Sequence, residues 1–207
     1  MLNTPSAQPI QVTLATQRGS IECIYHSAVN SDCCVIWLCG ALGGLDGPSF
    51  GIFKILSEQI VEDNISSLRL HYSNPGKFES CVEDTLEGIE YLKQKKINRI
   101  ALVGHSFGGA VAIQTGTQSL LVKAVVGLAS QTYGAQKVSL LSPRPLLLIH
   151  GERDRNLPSR CSELIYQWAK EPKELIILKN NGHFLREAHH ELTLLLRQWL
   201  TTELKGN

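Results

Sequence analysis

The sequence predicts a mostly parallel α/β sheet with helices on both of its faces. Three observations lead there. Cys33–Cys39 is a short, almost unbroken apolar run, the pattern of a central strand buried on both sides. From there on, strand-like apolar runs alternate with segments of helical period, as repeated strand-helix units require. Finally, Ile100–Gly109 carries an apolar, β-branched stretch directly into Gly104-x-Ser106-x-Gly108 and then into small residues that open a helix. The glycines allow a sharp turn in which neighbouring chain packs close to the serine.

The elements follow in order. Ile10–Thr16 and Ser20–Ala28 read as strands joined by a Gln17-Arg18-Gly19 turn, an antiparallel hairpin. After Cys33–Cys39 comes a glycine-rich loop, Gly40-Ala-Leu-Gly-Gly-Leu-Asp-Gly47. Pro48 then stands near the start of a helix expected to run through about Glu62. Ile65–Tyr72 reads as a strand. Cys81–Lys95 reads as a helix with Val82, Leu86, Ile89 and Leu92 on one face. Arg99–Val103 is the strand before Ser106, Ala110–Gln118 the helix after it, and Val122–Ala129 the next strand. Gln131–Ser142 is loosely patterned. Pro145–Ile149 and Leu175–Leu178 complete the strands, while Ser159–Lys170 and Glu187–Leu204 complete the helices. The stretch between Ala129 and Pro145 is too short for an inserted lid, so a fairly open site without a cap domain is expected.

Composition narrows the classes. A chain of 207 residues is expected to form one domain over residues 1–207. The net charge is +1 and the charges are scattered, which gives no reason to expect a nucleic-acid partner. No apolar run approaches the about 20 residues that span a bilayer. The start, Met1-Leu-Asn-Thr-Pro-Ser-Ala-Gln8, lacks the basic and apolar regions of a secretory signal. The six cysteines show neither a CxxC spacing nor a regular framework. Reduced thiols and a cytoplasmic location are therefore expected. The histidines between His183 and His190 contain no HExxH, and the adjacent His189 and His190 point different ways on a helix, so no metal or other cofactor is expected.

In a sheet of this kind functional groups collect at the carboxyl ends of the strands. Ser106 stands at one such end. Asp154 follows the strand that leads into His150-Gly-Glu-Arg-Asp154, and His183 follows the strand that leads into Asn181-Gly-His183. A serine hydroxyl needs a base to take its proton as it attacks, and neutral imidazole serves near pH 7. A carboxylate on the other ring nitrogen fixes the tautomer and stabilises the imidazolium. The glycine-rich loop offers the Ala41 N–H, which with that of Phe107 would bind an oxyanion. Asp46 and Asp84 are the rival acids, one in the glycine-rich loop and the other inside a predicted helix. Cys39 has no histidine partner in motif and reads as core. His105 and His150 are better explained by packing or local hydrogen bonding than by catalysis. Arg153 and Arg155, with Lys77, could draw an anionic substrate group, and Leu42 is a further substrate-binding candidate.

Over nearly its whole length the chain resembles an α/β-hydrolase. Gly104-His-Ser106-Phe-Gly-Gly109 matches the nucleophile elbow of that superfamily. His150-Gly-x-x-Asp154-x-x-Leu-Pro158 is similar to its acid loop, and Asn181-Gly-His183 to its histidine loop. The resemblance implies an α/β-hydrolase fold of about eight strands, with Ser106 as nucleophile, His183 as base, Asp154 as orienter, and Ala41 with Phe107 as the oxyanion hole. The size resembles that of small lidless members, dienelactone-hydrolase-like and carboxylesterase-like. Two departures stand out. Cys39 precedes Gly40 where many relatives carry histidine, and Ser106 replaces the cysteine nucleophile of dienelactone hydrolases proper. The expected function is a serine hydrolase acting on a small-molecule carboxylic ester or thioester. The alternatives are a hydrolase-fold binding protein or receptor with little turnover, and a small peptidase.

Overall fold

A computed structural model of the chain describes residues 8–206. The expectation about a leader falls on residues 1–7 and so lies outside the described residues. The strands are β1 (Ile10–Thr16), β2 (Gly19–His26), β3 (Cys33–Leu38), β4 (Ser66–His71), β5 (Arg99–His105), β6 (Val122–Leu128), β7 (Leu146–Gly151) and β8 (Lys173–Leu178). The helices are α1 (Ile52–Gln59), α2 (Phe78–Gln94), α3 (Phe107–Gly116), α4 (Arg160–Trp168) and α5 (His189–Lys205), with a short 3-10 turn at Val138–Leu141.

The eight strands form one sheet in the order β1-β2-β4-β3-β5-β6-β7-β8. β2 pairs antiparallel with both β1 and β4, and the remaining pairs are parallel. The hairpin therefore contributes one reversed strand to an otherwise parallel sheet. Among the described residues there is no cap domain over the carboxyl ends. From β3 the chain steps to β4 on one side and then to β5 on the other. That reversal opens a crevice outside the carboxyl ends of β3 and β5.

Each face of the sheet has its own core. On one face, Cys34, Ile36 and Leu38 of β3 join α2, α3 and α4 through residues such as Leu92, Val111 and Ile165. On the other, Cys33, Val35 and Trp37 join Phe53 and Leu56 of α1 and Leu192, Leu196 and Leu200 of α5. With both alternating sets buried, β3 has no solvent-facing side to make polar. The buried Trp37 indole donates to Ser67 Oγ at 2.7 Å, and Ser67 donates to Ser57 Oγ of α1 at 2.7 Å, so the indole N–H of Trp37 is paired inside this layer.

Boundaries differ from expectation where backbone geometry intervenes. The helix expected from Pro48 starts only at Ile52, because Ser49, Phe50 and Gly51 have φ of 49°, 58° and 84°, outside the right-handed helical region. That turn lets Phe53 N donate to Asp46 O at 3.0 Å and closes the glycine-rich loop onto α1. α3 begins at Phe107 rather than Ala110, since Gly108 and Gly109 lie inside the helix. β8 begins at Lys173, where pairing with Leu146 extends the edge strand beyond its apolar part.

Leu196 is fully buried beneath α5, whereas Leu194 on the same helix is 56% exposed. Leu196→Ala is expected to cost about 2–5 kcal/mol in urea unfolding, and Leu194→Ala within about 0.5 kcal/mol of nothing. Equal losses would contradict this packing.

Candidate active site

Ser106 occupies the turn between β5 and α3 with φ 58° and ψ −117°, a region that side chains rarely adopt. The conformation is held from several directions. Ser106 N donates to Leu128 O at 2.8 Å, and its carbonyl accepts from Gly109 N at 3.1 Å and Gln131 N at 3.3 Å. Glycine is required on both sides of the serine. A Cβ on Gly104 would collide with the carbonyl of Gly108, and one on Gly108 would collide with the carbonyls of Leu38 and Cys39. The helix thereby sits directly on the end of β3, and the Ser106 side chain projects at the crevice. Phe107 is the first helical residue, so its N–H has no partner within the helix.

Asp154 lies three residues beyond β7, with its side chain fully buried. Its Oδ1 accepts the N–H groups of Asn156 at 2.8 Å and Leu157 at 2.9 Å. Its Oδ2 accepts from His183 Nδ1 at 2.6 Å and lies 3.1 Å from His150 Nε2. Burial pushes the carboxyl upward, but the Leu157 N–H, the His183 ring and the Asn156 N–H outweigh it and hold Asp154 below the usual carboxylate range. The acid and histidine loops are fastened together by Arg153 N to Asn181 O at 2.8 Å and by Asn180 N to Glu152 Oε2 at 3.1 Å. Gly151 permits this approach, because a Cβ there would strike the carbonyls of Asn181 and Gly182.

His183 and Ser106 line one cleft of about 480 Å³, together with the loop Cys39–Pro48, His105, Asn156 and Phe184. No hydrogen bond joins Ser106 Oγ to His183 among the described residues; such bonds commonly tighten only in the substrate complex. The His105 ring packs on those of His183 and Phe184, at centroid distances of 4.8 and 5.7 Å, and its Nε2 donates to His183 O at 3.0 Å. Burial lowers the His105 pKa to about 4, so the ring is neutral near pH 7.

The glycine-rich loop is held from β4. The nearly buried Arg69 donates from Nη1 to Asp46 Oδ1 at 2.6 Å, and Gly44 N donates to His71 Nδ1 at 2.7 Å. Gly40 lies close beside Ser106, where an added Cβ would stand 3.9 Å from the serine Cβ. Ala41, the next residue, is exposed at the cleft. Cys39 is buried, and burial pushes its thiol up to about 11, the state of an unreactive core cysteine. Of the rival acids, Asp46 pairs with Arg69, while the fully buried Asp84 accepts from Ser73 N at 2.7 Å and Ser73 Oγ at 2.8 Å.

Ser106, Phe107, Ala41, His183 and Asp154 thus come together at the carboxyl ends of β3, β5, β7 and β8. Leu42, 94% exposed, lines the cleft. Arg153 and Arg155 are exposed and do not line it. Lys77 lines a separate groove of about 550 Å³ that runs beside Phe107, Gln131 and Tyr133. His150, which opens the acid-loop match, lies 3.1 Å from Asp154, whereas Asn156 and Phe184 at the cleft had no motif of their own in the sequence. Their only signal was adjacency to Asp154 and His183. Among the described residues no group of three or more His, Cys, Asp or Glu side chains is arranged to hold a metal ion, and no helix is long and apolar enough to cross a membrane.

The strand order and the strained elbow at its switch point define an α/β-hydrolase. The fold matches the dienelactone hydrolase of Anabaena variabilis with a TM-score of 0.80 at 15% identity, covering 96% of this chain and 100% of that one. It matches Est1E of Butyrivibrio proteoclasticus with a TM-score of 0.82 at 13% identity, covering 93% and 98%. The sequence itself matches the profile of the phospholipase/carboxylesterase family over residues 76–195, and the chain belongs to that family of hydrolases. A curated relative, the uncharacterized protein YfhR of Escherichia coli K12, is 29% identical over 128 residues, 49% of this chain and 45% of its own. Its Salmonella typhimurium counterpart is 26% identical over 140 residues, 51% and 48%. The chain spans about half the length of these curated relatives.

Two measurements test the site's construction. Gly108→Ala forces α3 off β3 and is expected to destabilise the protein by about 3 kcal/mol or to prevent folding, read by urea denaturation. Acid should also unfold the protein early. An unfolded His105 binds a proton near pH 6.5, while the folded one resists until about 4, so its stabilisation is complete above 6.5 and is lost as pH falls through that window. The loss reaches about 3 kcal/mol for His105, and His26 and His150, also lowered by burial, add to it with the same sign. A urea midpoint that stays constant from pH 7 to 4.5 would contradict this.

Proposed function

We propose that the chain is a serine hydrolase that cleaves a small carboxylic ester or thioester through an acyl-enzyme intermediate. The observation that carries this reading is the 2.6 Å bond from His183 Nδ1 to the buried Asp154 carboxylate, in a histidine that shares its cleft with Ser106. Because Asp154 only accepts, Nδ1 carries the proton and Nε2 is left as a bare acceptor. That is the tautomer a general base needs.

Ser106 Oγ attacks the carbonyl carbon while its proton passes to His183 Nε2, and Asp154 stabilises the imidazolium. The oxyanion accepts from the N–H groups of Phe107 and Ala41. The first of these is an unpaired donor at the positive end of α3. Collapse of the intermediate breaks the bond to the alkoxide or thiolate, which takes the proton from His183. Water then attacks the acyl carbon, gives its proton to His183, and the acid leaves as Ser106 is restored. Leu42, at the rim of the cleft, touches the substrate, whereas Arg153 and Arg155 are assigned no substrate contact.

A fluorophosphonate probe is expected to label Ser106, with steady turnover of p-nitrophenyl acetate. Ser106→Ala should abolish labelling and lower kcat by at least about a thousandfold. Folded wild-type protein that neither labels nor turns over would overturn the proposal.

A further inference from the structure

We infer that His150, held in turn by Ser162, is a positioning residue that pins the Asp154 carboxylate toward His183; this rests on the reading of Ser106, His183 and Asp154 as a triad. His150 is the penultimate residue of β7, and its side chain is fully buried. Its Nε2 lies 3.1 Å from Asp154 Oδ2 and 3.0 Å from Leu157 O. An ionised carboxylate and a carbonyl can only accept, so Nε2 must carry the hydrogen and share it between them. Nδ1 is then a bare acceptor, and it lies 2.7 Å from the hydroxyl of Ser162 on α4, also fully buried. Asp154 and Leu157 O thus set the tautomer of the strand histidine, the Ser162 hydroxyl donates to its other nitrogen and holds the ring, and that histidine completes the shell around the acid.

The carboxylate is saturated as a result. Oδ1 holds two backbone N–H donors and Oδ2 holds two histidine donors, which fills about four lone-pair positions. Rotation of the carboxyl group would break several of these bonds at once inside a buried site. His150 also shares the oxygen that His183 uses. Each hydrogen bond from His150 draws charge from Oδ2, so its removal leaves that oxygen a stronger acceptor and His183 a stronger base. The titratable groups facing His150 are Asp154 and His183, with His105 beyond His183 and Cys161 close to Asp154; burial holds His150 itself below the ordinary histidine range and neutral.

The test compares three variants. His150→Leu combined with Ser162→Ala removes the donor without leaving a buried hydroxyl unpaired, His150→Gln keeps an amide donor near the Nε2 position, and Ser162→Ala alone frees the ring. kcat, KM, the acid limb of the kcat/KM profile, and the proton resonance of His183 Nδ1–H are measured in each. The double variant should lose about 10–100-fold in kcat with KM within about twofold. Its acid limb should move to higher pH and its His183 resonance should shift or broaden, while His150→Gln recovers most of kcat. Ser162→Ala should move kcat and the acid limb in the same direction by less. A folded double variant with wild-type kcat and acid limb would overturn the assignment, as would a glutamine variant no better than leucine. Should the double variant not fold, an unchanged kcat and acid limb in Ser162→Ala overturns it. The His183 resonance is read without substrate, so a failure of His150 to position Asp154 is distinguishable from a failure of the triad reading, which would show as wild-type protein that neither labels nor turns over.

Discussion

The backbone of Ser106, with φ 58° and ψ −117°, is the constraint on which the rest of the structure depends. A residue with a side chain persists in that region only if its surroundings over-determine it. Here β6 supplies an acceptor for its N–H, α3 and the loop after β6 supply donors to its carbonyl, and glycines at 104 and 108 let the helix rest on β3. Relaxing the turn would require moving α3, and α3 is held by the core beneath it. The strain is thus supported by burial elsewhere, and its product is a half-buried serine at the cleft beside an unpaired helix N–H.

The same economy governs the acid side. Gly151 lets the loop after β7 lie against the loop after β8, and backbone bonds fasten the two. Asp154 and His183 therefore meet through main-chain geometry as much as through attraction. Low exposure by itself pushes the aspartate pKa upward. Its N–H donors and the His183 ring reverse that outcome, and a carboxylate that stays ionised in a buried place is what the proposed base requires. His150 belongs to this arrangement as the fourth donor.

The glycine-rich loop is the third fixed part. Its turns place Gly40 beside Ser106 and Ala41 in the lining of the same cleft. Arg69 and His71 reach up from β4 to hold Asp46 and the Gly44 N–H. In the proposed chemistry an oxyanion donor must already be in place when charge develops. A buried guanidinium braced on Asp46 answers that need better than a free loop would.

Periodicity, glycine placement and residue chemistry were local properties, and the sequence alone determined what rests on them. These are the two-sided burial of β3, the alternation of strands and helices, the elbow at Ser106, and the order serine, aspartate, histidine at strand ends. Helix starts were less legible. The positive φ at Ser49 and Phe50 had no compositional signal strong enough to displace Pro48 as the expected first turn. Only the tertiary structure decided which side chains in the loops face the cleft. Arg153 and Arg155 stay out of the cleft lining, Asn156 and Phe184 join it, and Arg69 reaches a residue 23 positions earlier in the chain. Loop residues have no period from which direction can be read, and long-range pairs depend on strand register, which is settled by the packing of both faces together.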